Sequence, residues 1–171
     1  MLRTLSLVLM VSGALCGCVS QPMDPGEFRQ AARKSSFAVV ETVDVAQPYT
    51  QVADRLRRKA NECLAVTINS SGNVFQGNMM VTERSRSTYT PTVTVTPEAT
   101  ELALQVEFGN TPFTKKPKDG LYLLVADAVP VGKNATRLTI YRGTIGQGKA
   151  IGDAIRAWST AERSVCPDLN T

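Results

Sequence analysis

Apolar and polar positions begin to alternate at Phe37, where Phe37, Val39, Val43 and Val45 share one side of a strand that Glu41 interrupts. Pro48 follows, at a place where proline opens a helix. Tyr49, Val52, Ala53, Leu56, Ala60, Cys63 and Leu64 then recur at three- and four-residue steps, which predicts an amphipathic helix. Its polar side carries the four-residue pairs Asp54–Arg58 and Arg58–Glu62. Val66 and Ile68 predict a second strand, turned at Ser70-Ser71-Gly72-Asn73, and residues 74–95 give one or two Thr- and Val-rich strands.

Leu102, Leu104, Val106 and Phe108 alternate with Ala103, Gln105 and Glu107, the cleanest half-buried strand of the chain. Residues 109–120 read as a basic, Pro-containing loop. Leu121 to Ala128 is an apolar strand, joined through residues 131–134 to another at about 136–142. A last helix, about 149–164, puts Ile151, Ala154, Ile155 and Trp158 on one side. The order β-α-β-β-β-β-β-α predicts an α+β fold: a mostly antiparallel sheet of five to six strands with two helices on one face. Residues 36–171 form that single domain, and the face without helices is its natural contact surface, the Thr-rich strands around 82–96 on or near it.

Composition narrows the chemistry. Among 171 residues there is no histidine, which removes Ser-His-Asp and Cys-His catalysis, histidine metal sites and the usual pH switch. The net charge of +4 is too mild to argue for nucleic acid. No ligand cluster points to a metal, no nucleophile motif to an enzyme, and no cofactor is implied. Glu101 and Glu107 alternate outward on their strand, as solvated carboxylates do.

The N-terminus carries an address. Arg3 precedes a short apolar run from Leu5 to Leu15, followed by small residues, as in a secretory signal peptide. Leu15-Cys16-Gly17-Cys18 resembles the lipobox of bacterial lipoproteins. That resemblance implies removal of residues 1–17, acyl chains on Cys18, and a membrane partner held by two or three chains. Val19 after Cys18, rather than Asp, favours the outer membrane, with the domain on its periplasmic face. Residues 18–35, with Pro22, Pro25 and Gly26, read as the lipidated cysteine and its tether. A short helix around Glu27 to Arg33 is compatible with this segment, Phe28 docking it. Under the lipoprotein reading Cys16 leaves with the leader and Cys18 is acylated. Cys63 and Cys166 remain and are expected to form a disulfide in an oxidising periplasm.

The element order also resembles helix-grip domains, including those of lipoprotein subunits of the outer-membrane barrel assembly machinery. Pro48-Tyr49 and Asn61-Glu62-Cys63-Leu64 are similar to the helix of small proteobacterial envelope lipoproteins. Neither resemblance brings a catalytic residue.

Three features remain as candidate sites. Gly143-Thr144-Ile145-Gly146-Gln147-Gly148-Lys149-Ala150 has phosphate-loop spacing, but Ala150 replaces the hydroxyl that would hold Mg²⁺. It reads as a glycine-rich turn whose helix N-terminus and Lys149 are left to meet an anion such as lipid phosphate. Arg55, Arg58 and Lys59, with Arg57, form one basic cluster, and Lys115, Lys116 and Lys118 another. These are candidate contacts for an anionic envelope polymer or another envelope protein. The functional expectation is a non-catalytic binding or assembly module anchored by lipid. The alternative is a periplasmic small-ligand-binding or enzyme-inhibitor lipoprotein.

Overall fold

The computed structural model describes residues 21–77, 79–109, 116–144, 146–161 and 165–169; the leader and Cys18 lie outside the described residues. Its elements run α1 (Pro25–Lys34), β1 (Ala38–Val45), α2 (Tyr49–Leu64), β2 (Thr67–Gln76), β3 (Met79–Val95), β4 (Thr100–Phe108), β5 (Leu121–Pro130), β6 (Thr136–Gly143) and α3 (Gln147–Thr160). All six strands pair antiparallel, in the order β1-β6-β5-β4-β3-β2. The α+β architecture expected from the alternation is therefore the one observed.

One face of the sheet is covered by α2 and α3. Val52, Leu56, Ala60 and Leu64 of α2 and Ile151, Ile155 and Trp158 of α3 join Leu102, Leu104, Leu124, Leu138 and Ile140 in one buried cluster. Trp158, the bulkiest of them, is fully buried, and its indole N–H donates to the Val165 carbonyl at 3.3 Å. α3 starts two residues before its expected position and ends at Thr160.

The second face is only partly bare, because α1 lies on it above β1, β5 and β6. Ala32 packs there with Ala103, Val125 and Tyr141, and Phe28 stacks on Tyr122 with ring centroids 6.2 Å apart. Thus part of the segment expected as an extended tether is a docked helix. Its start is capped: the Asp24 carboxylate accepts from the Glu27 amide, and the Glu27 carboxylate accepts from the Met23 amide, each at 2.8 Å. Asp24-Pro25-Gly26-Glu27 carried that signal in the sequence.

Two local expectations are corrected. Ser70-Ser71-Gly72-Asn73 is not a turn but the middle of β2, paired with Glu83 to Ser85 and Thr82. The hairpin reverses at Gly77, whose φ of 63° suits glycine. β3 pairs with β4 only from Ser87 onward, so the β2–β3 hairpin continues beyond the sheet as a two-stranded ribbon. Residues 69–73 and 82–86 are exposed, so no buried face penalises Ser, Gly and Asn within the strand. Phe37, expected on the core side of β1, precedes the strand and is 80% exposed.

At the start of β5, Gly120 has φ 98°, and a Cβ there would meet the Val106 carbonyl oxygen at 2.3 Å. Close by, the β4–β5 register shifts between Leu104 and Gln105, and Gln105 is held by its side-chain amide donating to the Gly120 carbonyl at 3.0 Å. The bulge turns Tyr122 toward α1 while Leu124 stays in the main core.

Cys63 and Cys166 are bonded, with Cα atoms 5.2 Å apart across a sequence separation of 103. The bridge does not join the C-termini of two helices. Arg55, in the first half of α2, donates to the Ser159 carbonyl, so the end of α3 lies beside the beginning of α2. The returning segment 165–169 makes the bridge instead. That segment is also held where the Gln147 amide donates to the Leu169 carbonyl at 2.9 Å. A cross-link over a loop this long restricts the unfolded chain strongly. The Cys63→Ser/Cys166→Ser variant is expected to lose about 2–4 kcal/mol. Denaturant titration checks this, and unchanged stability together with unchanged gel mobility on reduction would refute it.

Candidate functional site

Most basic residues singled out by the sequence are engaged with partners. Arg57 and Arg58 both bond Asp54 at 3.0 Å, and Lys59 pairs with Glu62 at 3.0 Å. Arg55 reaches the side chain of Gln51 and the Ser159 carbonyl. The outer side of α2 is therefore a mosaic of ion pairs rather than a bare cationic patch. In the loop before β5, Lys116 pairs with Glu107 and Lys118 is exposed; Lys115 lies outside the described residues.

The glycine-rich loop does not assemble a phosphate site. β6 is antiparallel to both neighbours, α3 starts after Gly146 without a side-chain cap, and Lys149 turns along the helix to Asp153 at 2.8 Å. Gln147, at the helix start, is occupied by the Tyr89 hydroxyl and the Leu169 carbonyl. Glycines further along serve packing. Gly152 leaves room for Arg142, since a Cβ there would lie 2.7 Å from Cδ of that arginine. Arg142 is 8% exposed; Nη1 donates to the Gly143 carbonyl at 3.0 Å, Nη2 lies 3.8 Å from Glu41, and Nε has no partner among the described residues. Arg156 bridges Glu41 and Asp153 at the rim of the same cluster.

The polar cluster that sequence reasoning missed lies under α1. Arg29 donates from Nε and Nη2 to the two carboxylate oxygens of Asp127, at 2.8 and 2.6 Å, and from Nη2 to Glu101 as well. Glu101 and Asp127 are direct cross-strand partners on β4 and β5, so two like charges face each other and one guanidinium holds both. The Asp127 hydrogen bond, then that of Glu101, raises the Arg29 pKa against the cost of burial. A pair of carboxylates on neighbouring strands resembles acid–base machinery, but here the space between them is filled by an arginine of the same chain. One turn on, Arg33 stands over the Tyr141 ring at 5.0 Å and donates to its hydroxyl. Phe28, Arg29, Ala32 and Arg33, spaced by three and four, were the available signal.

Two surfaces remain open. The first is the β2–β3 part of the second sheet face. The registers put Thr88, Thr90, Thr92 and Thr94 of β3 on this side with Thr67 and Asn69 of β2, whereas the neighbouring Ala103 and Gln105 of β4 are buried. The Thr67 and Thr88 hydroxyls lie 3.3 Å apart. The second is a groove of about 630 Å³ beside α1, lined by Pro22, Phe28, Ala31, Phe37, Tyr122 and Leu123 among others.

No protein-family model matches the chain, and no curated protein matches it. Function must therefore be argued from its own surfaces. Among the described residues no helix is long and apolar enough to cross a membrane. Glu62 lies beside Cys63 and Cys166, but those sulfurs are bonded to each other and offer no thiolate to a metal.

Two predictions concern these charges. Removing the guanidinium in Arg29→Ala leaves Glu101 and Asp127 facing each other and frees α1; the expected loss is about 1–3 kcal/mol by denaturant titration. Equal stability of Arg29→Ala and wild type would show that α1 is held by apolar contact alone. The second concerns acid. Hydrogen bonds from Arg137, Arg57 and Lys149 hold Asp44, Asp54 and Asp153 below the ordinary carboxylate value. Their contribution is complete above the unfolded pKa of about 4 and is lost as pH falls through the depressed folded values. All three lie at the surface, so the fall in Tm on acidification should begin below about pH 4 and shrink at high salt. A Tm that falls between pH 7 and 5 instead would contradict this origin.

Proposed function

We propose that this protein is a lipid-anchored module of the cell envelope, at the periplasmic face of the outer membrane, that works by binding another envelope protein and not by catalysis. The address rests on the Leu15–Cys18 motif and its acylated cysteine. The observation that carries the binding reading is the open polar part of the second sheet face, continued beyond the sheet by the β2–β3 ribbon. β2 is an edge strand, and beyond Ser87 the β4 side of β3 also lacks a strand partner among the described residues, apart from the Gly109 amide bonded to the Arg86 carbonyl. Such edges accept an added strand through main-chain hydrogen bonds, with side chains selecting the partner. Ion pairing across α2 favours a protein partner over an anionic polymer, because Arg57, Arg58 and Lys59 already have carboxylates.

The test is in-cell photo-cross-linking from three positions: Thr92 on the open face, Ser71 on the ribbon, and Arg57 on the outside of α2. One envelope protein captured from Thr92 or Ser71 but not from Arg57, and captured less by the Cys18→Ser chain, is the expected result. Equal capture of the same abundant proteins from all three positions would reject the surface. Retention of Cys18→Ser in the membrane fraction would reject the anchor.

A further inference from the structure

The end of the sheet where β1 begins is also where β6 and β4 finish and β5 starts, as the pairs Ala38–Gly143 and Val106–Leu121 require. The groove beside α1 opens there. Its walls are Phe28 and Ala31 of α1, Tyr122 and Leu123 of β5, and Phe37 from the turn into β1, with Lys34 at its margin. Phe37 is held at both main-chain polar groups: its amide donates to the Ser35 hydroxyl at 3.1 Å, and its carbonyl accepts from the Thr144 amide at 3.2 Å. Its ring nevertheless stands 80% exposed. A fixed backbone presenting a free aromatic ring beside an apolar trough is a surface built to be covered. The second exposed phenylalanine among the described residues, Phe108, closes β4 at this same end, whereas Val95 and Val131 are the large exposed apolar residues at the opposite turns.

The path of the chain identifies what covers it. Pro22 lines this groove and also lies beside Glu27, Gln30, Ala31 and Lys34 of α1, so the chain before the helix runs along the groove's margin. From Pro22 back to Cys18 is a span of at most about 14 Å, even fully extended. The docking of α1 thus replaces a long tether with a short one. Whatever bilayer holds the acyl chains of Cys18 must lie within that distance of the groove. We infer that the Phe37 ledge and its groove form the membrane-facing surface of the domain, with the Phe37 ring seated among the lipid acyl chains next to the anchor. This inference rests on the lipoprotein reading proposed above. It adds an orientation: the β1–β6–β5 corner lies close against the bilayer rather than swinging on a flexible leash, while the β2–β3 ribbon leaves the same end at the opposite edge of the sheet. A rigid apolar residue of this kind strengthens an interface that the covalent lipid alone would leave free to rotate.

The test uses full-length protein matured in cells and reconstituted into vesicles of phosphatidylethanolamine and phosphatidylglycerol whose acyl chains carry bromine. The chain's single tryptophan, Trp158, is fully buried and serves as the unquenched reference. Phe37→Trp places a reporter on the ledge, and Val131→Trp places one at the opposite end. The ledge reporter should lose about half or more of its emission, while Trp158 and the Val131→Trp reporter keep theirs. Equal quenching at positions 37 and 131, or none at 37, overturns the orientation. So does a small apolar molecule co-purifying in the groove with an unquenched reporter, or a partner protein shielding position 37 from the lipid. Intact mass and vesicle flotation of the same samples read the anchor separately. An acylated, floating protein with an unquenched ledge refutes this inference alone, whereas absence of acyl mass on Cys18 refutes the anchoring reading itself.

Discussion

Burial of Trp158, Ile155 and Ile151 with Leu56 and Leu64 against the even-numbered positions of β4, β5 and β6 is the interaction on which the other features depend. It fixes which side of every strand faces inward, because a strand that slipped by one residue would turn Leu102, Leu104, Leu138 and Ile140 to the opposite face. Once that face is set, the odd-numbered residues of the same strands have to form the second face. There Glu101, Asp127 and Tyr141 appear alongside Ala103 and Val125. This second face is too polar to bury by apolar contact alone. The chain covers half of it with a helix whose inward side is itself mixed, two alanines and a phenylalanine beside two arginines.

The two faces are thus held by different physics. The α2–α3 side is a close-packed hydrocarbon layer closed by a disulfide, insensitive to salt. The α1 side depends on guanidinium groups meeting carboxylates and a phenol, with side chains of Arg29, Glu101 and Asp127 between 22% and 34% exposed. Charges at that depth attract more strongly than at the surface yet remain within reach of water, so this contact is the softer of the two. Placing the softer contact next to the N-terminal segment makes α1 the element through which any pull from that direction reaches the domain.

Much of this was legible in the sequence, for physical reasons that differ by element. α2 was plain because it has one buried side and one wet side, which imposes a period of three to four. β4 showed its period of two through the polarity of its alternate residues, but it is not the half-buried strand expected: Ala103 and Gln105 are buried on the second face as Leu102 and Leu104 are on the first. The ribbon was misread at Ser70–Asn73 because both of its sides are wet, and no periodicity survives where nothing is buried. α1 was only half legible: its cap and spacing were present, but its partners Glu101 and Asp127 lie seventy and more residues away and look like solvated carboxylates on their own strands. The same holds for the basic residues of α2. A run such as Arg55 to Lys59 reads as a cationic patch until the positions of Asp54 and Glu62 on the folded helix show how much of it is neutralised.

That neutralisation changes which kinds of recognition the surface can support. A protein that bound anionic polymers through α2 would have to compete with Asp54 and Glu62 for Arg57, Arg58 and Lys59, which weakens each exposed contact. On the open part of the sheet, the threonine hydroxyls of β3 are arrayed by the strand registers, and among the described residues no strand pairs with the outer edge of β2. Recognition there would be governed by shape and hydrogen bonding, so salt should weaken it far less than it weakens a charge-driven contact.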